Sequence, residues 1–121
     1  MKGDLYYTFD GDCVGKMLER YMILSDAKSL KELSDAINEA MSLIEKYAEK
    51  LGCQVIFSGG DSILLKGQLD DSNRQEIKDL FYNTTGITLS CGQGGSIVEA
   101  MLNLKLAKSQ SSAIRDEDKQ G

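Results

Sequence analysis

The sequence has no histidine and only three cysteines among its 121 residues. Without an imidazole there is no Ser-His or Cys-His nucleophile, so any chemistry rests on carboxylates, lysines or a metal ion. Cys13, Cys53 and Cys91 are odd in number and widely spaced. They read as reduced thiols of a cytosolic protein and, with no histidine beside them, argue against a zinc site. A basic excess is missing too: 14 Lys and Arg against 19 Asp and Glu give a formal charge of −5. Sequence-independent binding of DNA or RNA needs a basic face, so direct nucleic-acid binding is not expected. A small phosphate ligand is not excluded, because local charge decides that. No apolar run approaches the roughly 20 residues of a membrane span, and no signal peptide is expected. No membrane association is expected, and the expected location is cytoplasmic.

What is present is ordinary for a soluble domain: 41% hydrophobic and 27% charged residues. The length suits one domain with its own core, expected over residues 1–110, followed by a flexible polar tail at 111–121. Leu5-Tyr6-Tyr7-Thr8-Phe9 alternates as a strand with Leu5, Tyr7 and Phe9 on one face, and Asp10-Gly11-Asp12 closes it. Val14, Met17, Leu18, Tyr21 and Met22 recur at helical spacing. Ser29 and Glu32 form a predicted capping box that opens a second helix, with Leu30, Leu33, Ile37, Met41, Ile44, Ala48 and Leu51 as its stripe and Gly52 as its stop. Residues 53–58 and 63–66 read as strands joined by a Gly59-Gly60 hairpin with Asp61 at its tip. A cap at Ser72-Asn73-Arg74-Gln75 opens a short helix with Ile77, Leu80 and Phe81 inward, ended by Gly86. Residues 87–91 read as a fourth strand, and a capping box at Ser96 and Glu99 starts a last helix running to about Lys108.

The order is β-α-α-β-β-α-β-α, an α+β, ferredoxin-like pattern with a four-stranded antiparallel sheet covered by helices. Right-handed crossovers make the first two strands parallel, with the third inserted antiparallel between them. The end of the first strand and the hairpin then share one sheet edge, which brings Asp10 and Asp61 to adjacent strands about 5 Å apart. Two converging carboxylates without histidine suit Mg²⁺ or Mn²⁺, with the Gly11 carbonyl as a third oxygen. The amides of Asp12, Cys13 and Val14 face the same edge and are candidates to hold a triphosphate. Asp12 has two readings here, phosphate cradle or plain N-cap. The fourth strand runs away from this edge, so Gly92-Gln93-Gly94-Gly95 reads as a turn at the far end. The last helix returns to the edge near Lys105 and Lys108, which either neutralise a bound triphosphate or are solvated lysines at a helix end.

Three motifs, Asp10-Gly11-Asp12 after a strand, Ser58-Gly59-Gly60-Asp61-Ser62 in a hairpin and Leu104-Lys105-Leu106-Ala107-Lys108 in the last helix, resemble the palm polymerase/cyclase superfamily. That superfamily includes GGDEF diguanylate cyclases and the palm domains of the large type III CRISPR subunit. A lone short palm with Phe9-Asp10-Gly11-Asp12-Cys13-Val14-Gly15 looks most like the minimal CRISPR polymerase, over about residues 4 to 110. The resemblance implies nucleotidyl transfer from nucleoside triphosphates with two Mg²⁺ or Mn²⁺ ions per active site, giving a cyclic nucleotide signal in anti-phage defence that a downstream effector reads. It implies Asp10 and Asp61 as catalytic acids, with Asp10, the Gly11 carbonyl and Asp61 as metal ligands. The hairpin residues Gly59, Gly60 and Ser62 then lie on the nucleotide, and Lys108 touches the triphosphate.

Three departures from the family pattern stand out. Ser62 replaces a second acid, Ser111-Ser112-Ala113 replaces a Gly-Arg-Asn, and no Asn near Leu18 serves to read guanine. Adenine is therefore the expected base and ATP the expected substrate. Joining two nucleotides needs a donor and an acceptor face to face, so a homodimer across the active edge is expected. Two other readings compete. Phe9-Asp10-Gly11-Asp12 with Gly60-Asp61-Ser62 also fits a haloacid-dehalogenase-like phosphatase, although Ile63-Leu64-Leu65 stands where that fold needs a loop or helix with another acid. The second is a degenerate palm that senses nucleotide without turnover.

Overall fold

Strand β1 (Leu5–Gly11) defines the two faces on which everything else packs. The computed structural model describes the backbone of residues 3–120 and the side chains of residues 3–110. After β1 come α1 (Val14–Ile23), α2 (Ala27–Lys50), β2 (Gln54–Gly59), β3 (Ser62–Gly67), α3 (Asp71–Thr85), β4 (Leu89–Gly94) and α4 (Ile97–Gln120), the expected order. The sheet runs β2-β3-β1-β4 with every neighbouring pair antiparallel, so β3 is inserted between β2 and β1 as the crossover argument requires. The tail reading of residues 111–121 falls outside the described side chains, as does the Ser111-Ser112-Ala113 departure. Helical backbone continues through Gln120, past the expected end near Lys108.

Opposed residues of an antiparallel pair share a face. Tyr7, Phe9, Ile63, Leu65 and Leu89 therefore form one face, and they are buried against Leu33, Ile37 and Ile44 of α2 and Ile77 and Phe81 of α3. The other face carries Tyr6, Thr8, Asp10, Ser62, Ser90, Gly92 and Gly94, and α4 crosses it over β4 and β1. Tyr7 is the one large polar-tipped side chain at the centre of the core. Its hydroxyl accepts from the Leu69 amide at 3.0 Å and donates to the Leu69 carbonyl at 3.3 Å. That carbonyl also receives the Arg74 guanidinium, so Tyr7→Phe orphans chiefly the Leu69 N–H. It is expected to cost about 1–2 kcal/mol, read as a lower urea midpoint at unchanged slope.

Three local expectations shift. Helix α2 starts at Ala27, because the Asp26 carboxylate accepts from the Ser29 amide at 3.0 Å and caps the helix three residues before the expected box. Helix α3 likewise starts at Asp71, where Asp70 and Asn73 bond each other's backbone amides reciprocally. In both places an aspartate wins the cap over a neighbouring serine, and the residue three on acts as its partner. The third shift is larger. Gly92, Gln93 and Gly94 are not a turn but the second half of β4. A Cβ at Gly92 would stand 2.2 Å from the Ala100 carbonyl oxygen and 2.3 Å from the Leu104 nitrogen. These glycines let α4 lie directly on the strand, and only Gly95 and Ser96 bend the chain. Ser96 then caps α4 by accepting from the Glu99 amide at 3.2 Å.

Candidate active site

The hairpin link is Gly60-Asp61, one residue later than expected, since β2 keeps Gly59 and β3 begins at Ser62. Gly60 takes φ 57° at the first turn position, the positive angle a II′ hairpin turn demands. Asp61 occupies the second turn position, and its carbonyl accepts the Gly11 amide at 3.2 Å. This bond ties the tip to the end of β1. A Cβ on Gly11 would lie 2.8 Å from Asp61 Oδ2 and 2.7 Å from Val14 Cγ2, so position 11 is kept bare to admit the acid.

Asp10 and Asp61 meet as the topology predicted. Burial, then the negative charge of Asp10 and a hydrogen bond with it, push the Asp61 carboxyl above its ordinary range. Two carboxylates pressed together beside the Gly11 carbonyl fit a hard divalent ion, which would relieve that repulsion. Among the described residues no group of three or more His, Cys, Asp and Glu gathers. Two carboxylates and one carbonyl would leave the other positions of Mg²⁺ or Mn²⁺ to water and substrate phosphate.

Lys108 completes the cluster from α4. Its ammonium lies 3.0 Å from Asp10 Oδ2, 3.1 Å from Asp12 Oδ1 and 3.1 Å from the Gly11 carbonyl oxygen, to which it donates. Burial alone would lower its pKa, but hydrogen bonds and charge from Asp10 and Asp12 outweigh it and hold the ammonium above its usual range. Lys105, one turn earlier, is exposed, so Lys108 is the lysine drawn into the site.

Asp12 is neither a plain N-cap nor an amide donor to phosphate. Cys13 takes the N-cap position of α1 with φ 64°, and no side chain caps that helix. The Asp12 amide donates to the Thr88 carbonyl at 3.0 Å. Its carboxylate accepts from Thr88 Oγ1 at 2.6 Å and Ser90 Oγ at 2.7 Å. Burial raises its pKa, but these hydroxyls and Lys108 more than reverse that, and the acid stays below the ordinary range. The Ser62 hydroxyl donates to Asp10 Oδ1 at 2.6 Å and so orients that acid. Cys13 is exposed and Val14 buried at the start of α1, beside the same edge, while Gly59 and Gly60 are exposed at the tip. Thr88 and Ser90 were not singled out from the sequence. Their signal was two hydroxyls flanking buried Leu89, aligned on the face opposite the core.

Beside Asp12 a cavity of about 530 Å³ opens between α3, β4 and α4, lined by Lys78, Tyr82, Thr88 and Ser90. That volume lies within the roughly 300–1,000 Å³ of small-molecule sites. After Asp61 the chain enters β3 at once, so the element a dehalogenase-like phosphatase needs there is missing.

The family model of the minimal CRISPR polymerase domain, mCpol, matches residues 6–115. Among solved structures the chain is similar to the guanylyl cyclase Cya2, with a TM-score of 0.53 at 12% identity over 89% of this chain and 70% of that one. It is also similar to a bacterial light-regulated adenylyl cyclase, with a TM-score of 0.50 at 11% identity over 90% and 70%. For a monomeric guanylyl cyclase domain of the RhoGC fusion protein from the aquatic fungus Blastocladiella emersonii the TM-score is 0.48 at 13% identity. There the match takes in 74% of this chain and spans 57% of the other. The likenesses to Cya2 and to the light-regulated adenylyl cyclase are of fold. No curated protein matches. No helix among the described residues is long and apolar enough to cross a membrane.

Proposed function

Because the chain belongs to the minimal CRISPR polymerase family, we propose that it joins nucleoside triphosphates into a cyclic di- or oligonucleotide messenger. The observation that carries this reading is the meeting of Asp10 and Asp61 at the end of β1, with the Lys108 ammonium on Asp10 Oδ2 and the Gly11 carbonyl oxygen. A ribose hydroxyl would attack the α-phosphorus of a triphosphate; the new ester P–O bond forms, the bond to pyrophosphate breaks, and the hydroxyl proton leaves to solvent. Asp10, the Gly11 carbonyl and Asp61 would hold two divalent ions, whose chemistry is to acidify the hydroxyl and offset charge on the α-phosphate and leaving pyrophosphate.

The chain's own groups do the rest. Ser62 fixes the rotamer of Asp10, the Gly11 amide fixes the tip that carries Asp61, and Lys108 supplies a positive charge for the triphosphate. The cavity beside Asp12 offers room for a nucleoside, and adenine is the proposed base. A homodimer would bring a donor and an acceptor together across the active edge. Exposed Val98, Leu102 and Leu106, spaced four apart on the helix that carries Lys108, support a surface covered by a partner. The proposed setting is anti-phage defence, with the messenger read by a separate effector.

The test is incubation with single nucleoside triphosphates and Mn²⁺ across a dilution series of protein. Pyrophosphate and a cyclic adenine product are expected, with turnover per subunit falling on dilution. Orthophosphate release, or tight nucleotide binding with no product, overturns the synthase reading. Turnover per subunit that is independent of dilution overturns the dimer.

A further inference from the structure

Lys108 already occupies the ground a metal ion needs. Its ammonium contacts Asp10 Oδ2 at 3.0 Å and the Gly11 carbonyl oxygen at 3.1 Å, two of the three groups assigned above to a divalent ion. Its third partner, Asp12 Oδ1 at 3.1 Å, stands outside that set. Both carboxylates are fixed independently of the lysine. Ser62 holds Asp10 from β3, while Thr88 and Ser90 hold Asp12 from the start of β4. Two anchored acids are thus spanned by one long cationic side chain with several rotatable bonds.

An ammonium and a divalent ion cannot both sit on the same two oxygens, because like charges a few ångström apart repel strongly away from bulk water. The geometry points to Lys108 as the resident counter-ion of the Asp10 and Gly11 oxygens, in competition with the divalent ion, and to Asp12 as the positioning residue that retains the displaced ammonium at the rim of the site. This rests on the metal reading of Asp10, Gly11 and Asp61. It has a functional consequence. A triphosphate arriving with its own ion offers the displaced ammonium a new anionic partner, so metal and nucleotide bind cooperatively and the nucleotide-free site holds metal less tightly.

The experiment is Mn²⁺ titration of the full chain without nucleotide, following free Mn²⁺ by its paramagnetic resonance. The proteins are wild type, Lys108→Met, Asp12→Asn, the double variant, and Asp61→Asn. Lys108→Met is expected to tighten Mn²⁺ binding roughly tenfold. Asp12→Asn is expected to weaken it several-fold in the wild type and clearly less beside Lys108→Met, a coupling that marks action through the lysine. Unchanged or weaker Mn²⁺ affinity in Lys108→Met, with Asp61→Asn still abolishing binding, overturns the competition and leaves the metal reading standing. An equal effect of Asp12→Asn in both backgrounds reduces Asp12 to a through-space charge and overturns its positioning role. No saturable Mn²⁺ binding in any variant overturns the metal reading and the proposal together. Circular dichroism checks the fold, and Lys108→Gln replaces Lys108→Met if that variant does not fold.

Discussion

Asp61→Asn is expected to lower formation of cyclic product by on the order of 10³-fold, because it removes one of only two carboxylates available to a metal. The same change is expected to stabilise the metal-free protein by about 0.5–1 kcal/mol, since a half-buried like-charge pair is relieved. For a domain of this size that is a rise of roughly 2–5 °C in Tm. The pH dependence follows from the direction of the shift. The Asp61 carboxyl binds its proton more tightly folded than unfolded, mainly through burial and secondly through Asp10. The wild type therefore loses stability as pH rises from the ordinary aspartate range through the raised folded pKa. Asparagine has no such loss, so the gap between the two melting curves should be widest near neutrality and close at low pH. Product is measured by chromatography and stability by melts in metal-free buffer. Retained synthesis in Asp61→Asn would remove the site assignment, and a lower neutral Tm would remove the like-charge account.

Gly92→Ala is expected to be the most damaging single methyl group in the chain. The added Cβ would meet the Ala100 oxygen at 2.2 Å, the Leu104 nitrogen at 2.3 Å and the Leu104 Cα at 2.7 Å. All three are backbone atoms, so no side chain can rotate away and the helix itself must lift off β4. Overpacking of this kind is expected to cost about 2–4 kcal/mol, or roughly 8–15 °C in Tm. Activity should fall further than stability alone explains, because Lys108 rides on the same helix and would be drawn away from Asp10 and the Gly11 carbonyl. Gly95→Ala is the internal control, having open space around its Cβ. If the two variants melted alike, the close seating of α4 on β4 would be wrong.

Much of this architecture was legible in one dimension. Alternation in residues 5–9 marked the buried face of β1, and helical stripes located α1, α2 and α3. The β-α-α-β-β-α-β-α order then forced β3 between β1 and β2, which alone predicts that Asp10 and Asp61 meet. The absence of histidine narrowed the chemistry to carboxylates, lysines or a metal ion. The misreadings came from residues whose meaning depends on a distant neighbour. Gly92 and Gly94 look like a turn because glycine has low strand propensity. Their reason lies in Ala100 and Leu104, which fold back over them only after the strand has passed. Ser29 and Ser72 looked like caps, yet Asp26 and Asp70 presented the stronger acceptors.

The acids themselves show where the boundary falls. Local pattern placed Asp10, Asp12 and Asp61 at strand ends and turns, because apolar periodicity stops there and glycine permits the bends. What each acid does was decided by partners brought from 50 to 100 residues away along the chain, a range over which no periodicity carries information. Ser62 fixes Asp10, Thr88 and Ser90 fix Asp12, and Lys108 bridges the two. Side-chain hydrogen bonds of 2.6 to 2.7 Å between strands depend on register and helix seating. Those are properties of the packed sheet, settled by the burial of Tyr7, Phe9, Ile63 and Leu89 and by the bare surface of Gly92 beneath α4.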